Sequence, residues 1–335
     1  MLTGAARGAG LKSEREILEA IHRPHVRQDE AFFRLAPIAG IVHRANFQTR
    51  FPWPEHPSGF IEIKTNNLGF RRDHPTAEGK PAGLFRVLVA GDSHTDGQVL
   101  NAESFSTILE DRLNQRAGSP AFEVLNAGVC HHSFRNYLGV VKLYHYLKPD
   151  AVVVAVYPGN DFVEAAQFIE LRDGLRHDAS YMPRLILAEK LDEGAVWQGL
   201  NQAAYFKSAP EMKDRVLALA LRTLSQIRDI GLPDGAPLLV VLLPNKIDTE
   251  RETDARRLEL TRRFLNLSND DLRVTAELTA GLGKRLRKAG IAYVDLTRPP
   301  PGTELLFWNQ DYHLNVNGHR WVAKELLKTE LFARR

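Results

Sequence analysis

Cysteine is almost absent from this sequence, whose 335 residues contain one, Cys130. A single cysteine excludes an intramolecular disulfide and a zinc site built from cysteines. Because Cys130 lies in a turn-like segment, a packed thiol is a better interpretation than a nucleophile. His131 and His132 follow it directly, but adjacent histidines point apart and no carboxylate pair lies nearby. We therefore expect no metal site and no bound cofactor.

Long apolar runs are also missing. No stretch reaches the roughly 18 apolar residues that a membrane-spanning helix needs, and the N-terminal residues lack the apolar segment of a secretory signal. These features predict a cytoplasmic protein without a membrane span.

Neither sign of charge is in large excess, because 44 basic residues oppose 41 acidic ones and leave a net charge of +3. So small an excess argues against a nucleic-acid partner. The chain is 44% hydrophobic and 25% charged, which is typical of a soluble globular protein.

Two parts are visible along the chain. Residues 1–84 contain a short helical pattern at Ser13 to Ile21 and an alternating strand at Phe60 to Lys64, among aromatic residues, prolines and glycines. We expect them to form an N-terminal helix and an extended arm packed on a main domain of residues 85–335.

Strand and helix patterns alternate throughout the main domain. The strand-like runs are Arg86–Ala90, Phe122–Leu125, Ala151–Tyr157, Leu238–Leu243 and Ala292–Leu296. The helical patterns are Phe105–Leu113, Asn136–Leu147, Met212–Ile230, Leu272–Lys288 and a last one after Asn315. This alternation predicts an α/β fold with a parallel sheet and helices on both faces.

Residues 162–210 interrupt the alternation and contain Trp197 and Tyr205 without a clear period. We interpret them as an insertion over the carboxyl edge of the sheet that forms a lid or a substrate wall and sets ester specificity.

The most informative stretch is FRVLVAGDSHTDG, from Phe85 to Gly97. A buried strand leads through Gly91 and Asp92 into Ser93, and a helical pattern follows, with Asp96 or Asn101 available to cap it. Ligands bind at such strand ends in open α/β sheets. Taken alone, the motif is also consistent with a helix-capping serine or a phosphate cradle, although it lacks the lysine of a P-loop.

Three further segments bring polar or glycine residues to strand ends or the loops beyond them. They are Asn126-Ala127-Gly128, Pro158-Gly159-Asn160-Asp161 and the stretch from Trp308 to Asn315. A hydroxyl, a backbone N–H, a carboxamide, an imidazole and a carboxylate would then meet at one rim. Acyl transfer requires such a set of nucleophile, oxyanion donors, base and orienting group.

These four blocks, taken in order from about Phe60 to Ala333, resemble the SGNH (GDSL-type) hydrolases. The resemblance implies a flavodoxin-like three-layer sandwich with a five-stranded parallel sheet. It implies that Ser93 is the nucleophile and one oxyanion donor, and that the Gly128 N–H and the Asn160 side chain are the other two donors. His313 would be the general base, and Asp311 would orient it.

The chain departs from the family pattern at two places. His94 stands where an apolar residue is usual, but a residue adjacent to Ser93 is poorly placed to reach its hydroxyl. The acid lies two residues before His313, with Gln310 in the more usual place. In an extended segment, residues two apart lie on the same side, so Asp311 remains the expected acid. We expect Asp92 and Asp161 to hold loop N–H groups.

Three functions remain open at the level of sequence. The leading one is a serine esterase acting on a small-molecule or glycan ester, with acetyl groups on carbohydrates as one substrate class. An O-acyltransferase would use the same acyl-enzyme but pass the acyl group to an alcohol. A binding module without catalysis is the third, and the complete residue set argues against it. The sequence does not determine the oligomeric state.

Overall fold

The N-terminal part forms one long helix and two antiparallel strand pairs. The computed structural model describes residues 13–175, 180–192, 197–231, 235–250 and 255–333, except the side chains of 188–192, 197 and 257. Its first elements are α1 (Glu14–Gln28), β1 (Phe33–Ala36), β2 (Gly40–His43), β3 (Gln48–Pro52) and β4 (Phe60–Lys64). Strands β1 and β2 pair with each other, as do β3 and β4. The predicted strand at Phe60 to Lys64 is confirmed, and the helix extends beyond the predicted Ile21.

The five apolar runs of the main domain form one sheet, in which all neighbouring strands are parallel. Its strands are β5 (Phe85–Gly91), β6 (Phe122–Asn126), β7 (Ala151–Val156), β8 (Leu238–Leu242) and β9 (Ala292–Asp295). They lie in the order β6-β5-β7-β8-β9, which is the flavodoxin-like order of doubly wound sheets. The predicted fold class is therefore confirmed.

Helices cover both faces of this sheet. They are α2 (Ser93–Asp96), α3 (Phe105–Ala117), α4 (Phe134–Tyr144), α5 (Asp161–Asp173), α6 (Met182–Asp192), α7 (Trp197–Ser208), α8 (Met212–Gly231), α9 (Lys246–Thr249), α10 (Ala255–Phe264), α11 (Val274–Lys288), α12 (Val316–Leu326) and α13 (Glu330–Ala333). Because side chains alternate along a strand, Leu88 and Ala90 enter the core with α4, α5, α8 and α11. Val87 and Val89 enter the opposite core with α3 and α12.

The cap of α3 differs from the prediction. Ser104 caps this helix, with its side chain accepting the Thr107 N–H. Asn101 instead accepts a hydrogen bond from the buried Arg71, because a buried guanidinium must find acceptors.

The described residues between 162 and 210 are more regular than the sequence suggested. Helix α5 occupies the start of this range, and its buried face, which includes Phe162 and Phe168, lies in the main core. Tyr205 on α7 is only 1% exposed and donates a hydrogen bond to Glu170 on α5. The prediction that Tyr205 forms a substrate wall is therefore wrong, because this ring packs in the core. The side chain of Trp197 lies outside the described residues.

Candidate active site

Ser93 is the first residue of the short helix α2 and follows the interior strand β5, with Asp92 between them. The Asp92 carboxylate caps this helix by accepting the His94 N–H at 2.9 Å, as expected for Asp92. A Cβ atom at Gly91 would lie 1.9 Å from Thr95 Oγ1, so only glycine allows the turn to fold back this tightly. The Ser93 hydroxyl is thereby fixed at the carboxyl edge of the sheet.

The C-terminal block brings a histidine to this hydroxyl. His313 Nε2 lies 2.9 Å from Ser93 Oγ, and His313 Nδ1 lies 2.7 Å from Asp311 Oδ1. The same carboxylate oxygen accepts the backbone N–H of His313 at 2.7 Å. The two-residue spacing between acid and histidine therefore brings the side chains together.

The electrostatics favour an ionised Asp311. Burial alone would raise the pKa of this carboxyl, but the charge of His313 and two hydrogen bonds from it outweigh burial and lower the pKa. A carboxylate that accepts the Nδ1 proton leaves Nε2 with a lone pair toward Ser93. The geometry thus allows His313 to accept a proton from the serine hydroxyl.

A buried lysine holds the loop that carries Asp311 and His313. Lys246, the first residue of α9, donates from Nζ to the carbonyl oxygens of Trp308, Asn309 and Asp311, the last two at 2.9 and 3.0 Å. Lys246 follows β8, the strand end for which the sequence analysis assigned no chemistry. The sequence signal for this role was the polar pair Asn245-Lys246, three residues after the end of that strand.

The N-terminal arm holds the other side of this loop. The Glu55 carboxylate, between β3 and β4, accepts the backbone N–H groups of Asn309 and Gln310 at 2.5 and 3.0 Å. Trp53, two residues earlier, packs edge-on against Trp308 with ring centroids 6.1 Å apart. The loop is therefore anchored through both its carbonyl and its N–H groups.

Asn160 lies at the N-terminus of α5, but its side chain does not cap the helix. Its Nδ2 donates to Glu164 Oε1 at 3.0 Å, and the other Nδ2 hydrogen makes no bond to a described residue. Asp161 accepts the Tyr157 N–H at 3.0 Å, so the prediction that it holds a loop N–H is confirmed. Glu164 was not identified from the sequence, although it lies one helical turn after Asn160.

The predicted role of Gly128 is not compatible with this structure. The Gly128 N–H donates to the Asn126 side chain at 3.0 Å and is not free for a ligand. A Cβ atom at Gly128 would lie 2.4 Å from the backbone nitrogen of Asp96. Glycine is therefore required here for close packing against α2. The backbone N–H of Ser93, by contrast, makes no hydrogen bond within the described residues.

The second histidine of the site, His94, packs away from the serine. Its ring stacks on Tyr157 with centroids 3.4 Å apart, and Nε2 lies 3.4 Å from Gln198 Oε1 on α7. Burial lowers the pKa of His94 well below its ordinary value, so the ring stays neutral. The His94 ring is therefore held by Tyr157 and Gln198 and makes no hydrogen bond to the Ser93 hydroxyl, as its position next to Ser93 suggested.

The arm also fixes the far end of α2. Arg71, completely buried, donates to Asp96 at 3.0 Å, and His43 lies 3.2 Å from the other oxygen of Asp96. Burial would raise the pKa of Asp96, but His43 and Arg71 outweigh it and lower the pKa. A carboxylate held in this way ties the helix of Ser93 to the arm.

Other reactive groups near the site have packing roles. The Cys130 thiol lies 3.5 Å from Asp96 Oδ2, and burial raises its pKa well above the ordinary value, which agrees with a packed thiol. His132 bonds the Ile41 carbonyl oxygen at 2.8 Å.

Across the described ranges, no group of three or more histidine, cysteine or acidic residues could hold a metal ion. No helix in the same ranges is long and apolar enough to cross a membrane.

No protein-family model matches the sequence, and no curated protein matches it either. Solved structures are similar at low sequence identity. An acetyl xylan esterase is 14% identical with a TM-score of 0.43, over 73% of this chain and 98% of that one. A GDSL-like lipase from Bacteroides thetaiotaomicron is 12% identical with a TM-score of 0.39, over 77% and 92%. A catalytic mutant of an acetylxylan esterase from Geobacillus stearothermophilus is 14% identical with a TM-score of 0.40, over 73% and 93%.

Proposed function

We propose that this chain is a serine ester hydrolase of the SGNH (GDSL) type. The observation that carries the proposal is the continuous hydrogen-bonded series from Ser93 Oγ through His313 to Asp311, with distances of 2.9 and 2.7 Å. A serine hydroxyl, an imidazole and a carboxylate linked in this order are what nucleophilic acyl transfer requires.

In the proposed reaction, Ser93 Oγ attacks the acyl carbonyl carbon while its proton passes to His313 Nε2. The negative charge that develops on the carbonyl oxygen is stabilised by the Ser93 N–H and the Asn160 carboxamide. The alcohol leaves with the proton from His313, and an acyl-Ser93 intermediate remains. Water then attacks this intermediate by the same route and releases the acid.

The proposed chemistry defines the substrate as an acyl ester of a small molecule or glycan. Acetyl groups on carbohydrates are one class to test. A series of esters with increasing acyl length, with and without an added alcohol acceptor, would define the acyl preference and separate hydrolysis from transfer. We expect release of the free acid.

The function is tested by measuring kcat/KM on a small activated ester for Ser93→Ala and for Ser106→Ala. Ser106 is another buried serine, on α3, and takes no part in the proposed reaction. We expect Ser93→Ala to abolish turnover with an unchanged fold, and Ser106→Ala to retain it. Unchanged turnover in Ser93→Ala would overturn the proposed function.

A further inference from the structure

Glu164 and Asn160 are bonded to each other, and each leaves one buried oxygen without a partner. Glu164 Oε1 accepts from Asn160 Nδ2 at 3.0 Å. The second oxygen of each group, Glu164 Oε2 and Asn160 Oδ1, is buried and has no hydrogen-bond partner. Both oxygens are acceptors, so a proton on Glu164 Oε2 that is donated to Asn160 Oδ1 would satisfy both at once.

Exchanging the nitrogen and oxygen of the Asn160 carboxamide leads to the same requirement. Oδ1 would then lie 3.0 Å from Glu164 Oε1, which again needs a proton between two oxygens. Only the neutral acid allows a ring of two hydrogen bonds between the carboxyl and carboxamide groups.

The surroundings of Glu164 also favour the neutral acid. Asp92 and Asp161 are completely buried near it, and none of the three carboxyls forms an ion pair with a described lysine or arginine. Three ionised carboxylates in one buried region would repel one another strongly. Burial first, and Asp92 second, raise the pKa of Glu164 well above its ordinary value.

The neighbouring carboxyls bond to groups other than a carboxamide. Asp161 accepts from Tyr137 Oη at 2.7 Å and from the Tyr157 N–H at 3.0 Å, and Asp92 accepts from the His94 N–H. Hydrogen bonds to a carboxylate favour its charged form. Burial raises the pKa of all three carboxyls, and Glu164 is the one bonded to a carboxamide whose oxygen lacks a donor.

We propose that Glu164 is a neutral carboxylic acid paired with the Asn160 carboxamide through two hydrogen bonds, and that this pair positions Asn160 as an oxyanion donor. The role rests on the proposed function. It fixes the carboxamide with one N–H left over, and it keeps a negative charge away from the place where the oxyanion forms. Glu164 is a positioning residue, because it acts through Asn160.

The test compares Glu164→Gln with Glu164→Ala. A glutamine can form the same two-bond ring without a titratable group, so Glu164→Gln should keep the wild-type kcat. Glu164→Ala leaves Asn160 without support and should lose up to about a hundredfold in kcat with little change in KM, the smaller loss seen when an oxyanion donor is removed. An equal loss of kcat in both variants would overturn the proposal, because it would show that the negative charge is needed.

A second measurement does not depend on activity. The infrared difference spectrum of wild type minus Glu164→Gln at neutral pH should contain the C=O band of a protonated carboxyl group. Carboxylate bands in its place would overturn the inference, even if Ser93→Ala is inactive and the proposed function stands. Conversely, an active Ser93→Ala variant would remove the proposed function and leave the infrared result valid for the acid–amide pair.

Discussion

The Nζ atom of Lys246 lies 3.0 Å from the backbone carbonyl oxygen of Asp311. Lys246 is 5% exposed, and its charge contributes to lowering the pKa of the Asp311 carboxyl, after the larger effects of burial and of His313. One buried cation therefore both anchors the loop that carries the acid and histidine and helps to keep the acid ionised.

Lys246→Met should lower kcat/KM by about a hundredfold, the loss expected when reacting groups shift by about 1 Å. The variant removes the donor to three carbonyl groups, so the Asp311–His313 loop loses its anchor. The measurement is kcat/KM together with Tm. Lys324→Met is the matched control, since Lys324 is exposed on α12. Wild-type kcat/KM in Lys246→Met would show that the loop holds its geometry without the lysine.

Asp311→Asn should lower kcat by roughly 10⁴, as in a triad whose acid is replaced by its amide. The amide neither holds the correct histidine tautomer nor stabilises the imidazolium. Gln310→Ala should cost little, because Gln310 is bonded through its backbone to Glu55 and not to His313.

Asp295→Asn is the second comparison for the acid. Asp295 is exposed at the end of β9 and bonds Thr297. All three variants are measured on one ester at one pH. A collapse of kcat in Asp295→Asn with a nearly normal Asp311→Asn would assign the acid to Asp295.

Asp92→Asn should weaken the pH dependence of stability. Burial, as the largest effect, raises the pKa of Asp92 from 3.8 to about 7. Between these values the unfolded chain has lost the proton that the folded protein keeps, so the free energy of unfolding falls as the pH rises. Asparagine keeps the N-cap acceptor for His94 but does not titrate, so its Tm should change less over this range.

Scanning calorimetry between about pH 4 and about pH 7, the range set by the shifted pKa of Asp92, measures this difference. Asp295→Asn is the control, because an exposed carboxylate should leave the wild-type slope unchanged. The same slope of Tm against pH in Asp92→Asn and wild type would show that Asp92 is ionised in the fold.

Much of the fold could be predicted because buried parallel strands are short apolar runs and their helices show a 3.6-residue period. All five strands of the parallel sheet and the five helices predicted in the main domain are present, with ends that differ by a few residues. Helix α5 was missed because its hydrophobic pattern is broad: Phe162, Val163, Ala165 and Ala166 are all buried.

The candidate site was predicted where the chemistry lies in local motifs, as for Ser93 and the Asp311–His313 pair. Parts of the site were missed where their role depends on a hydrogen bond to another group of the folded protein. The sequence does not show that the Asn126 side chain accepts the hydrogen bond of the Gly128 N–H. Nor does it show that Glu55, in the arm, accepts backbone hydrogen bonds from a loop more than 250 residues later. Such contacts depend on tertiary packing and leave no periodic signal.

The central claim is that Ser93 is a nucleophile activated by His313. It is tested most directly by treating the wild-type protein with a fluorophosphonate ester and mapping the adduct by mass spectrometry. We predict one adduct, on Ser93, with loss of esterase activity in parallel and no adduct in Ser93→Ala. An adduct on another residue, or esterase activity that persists after complete modification of Ser93, would contradict it.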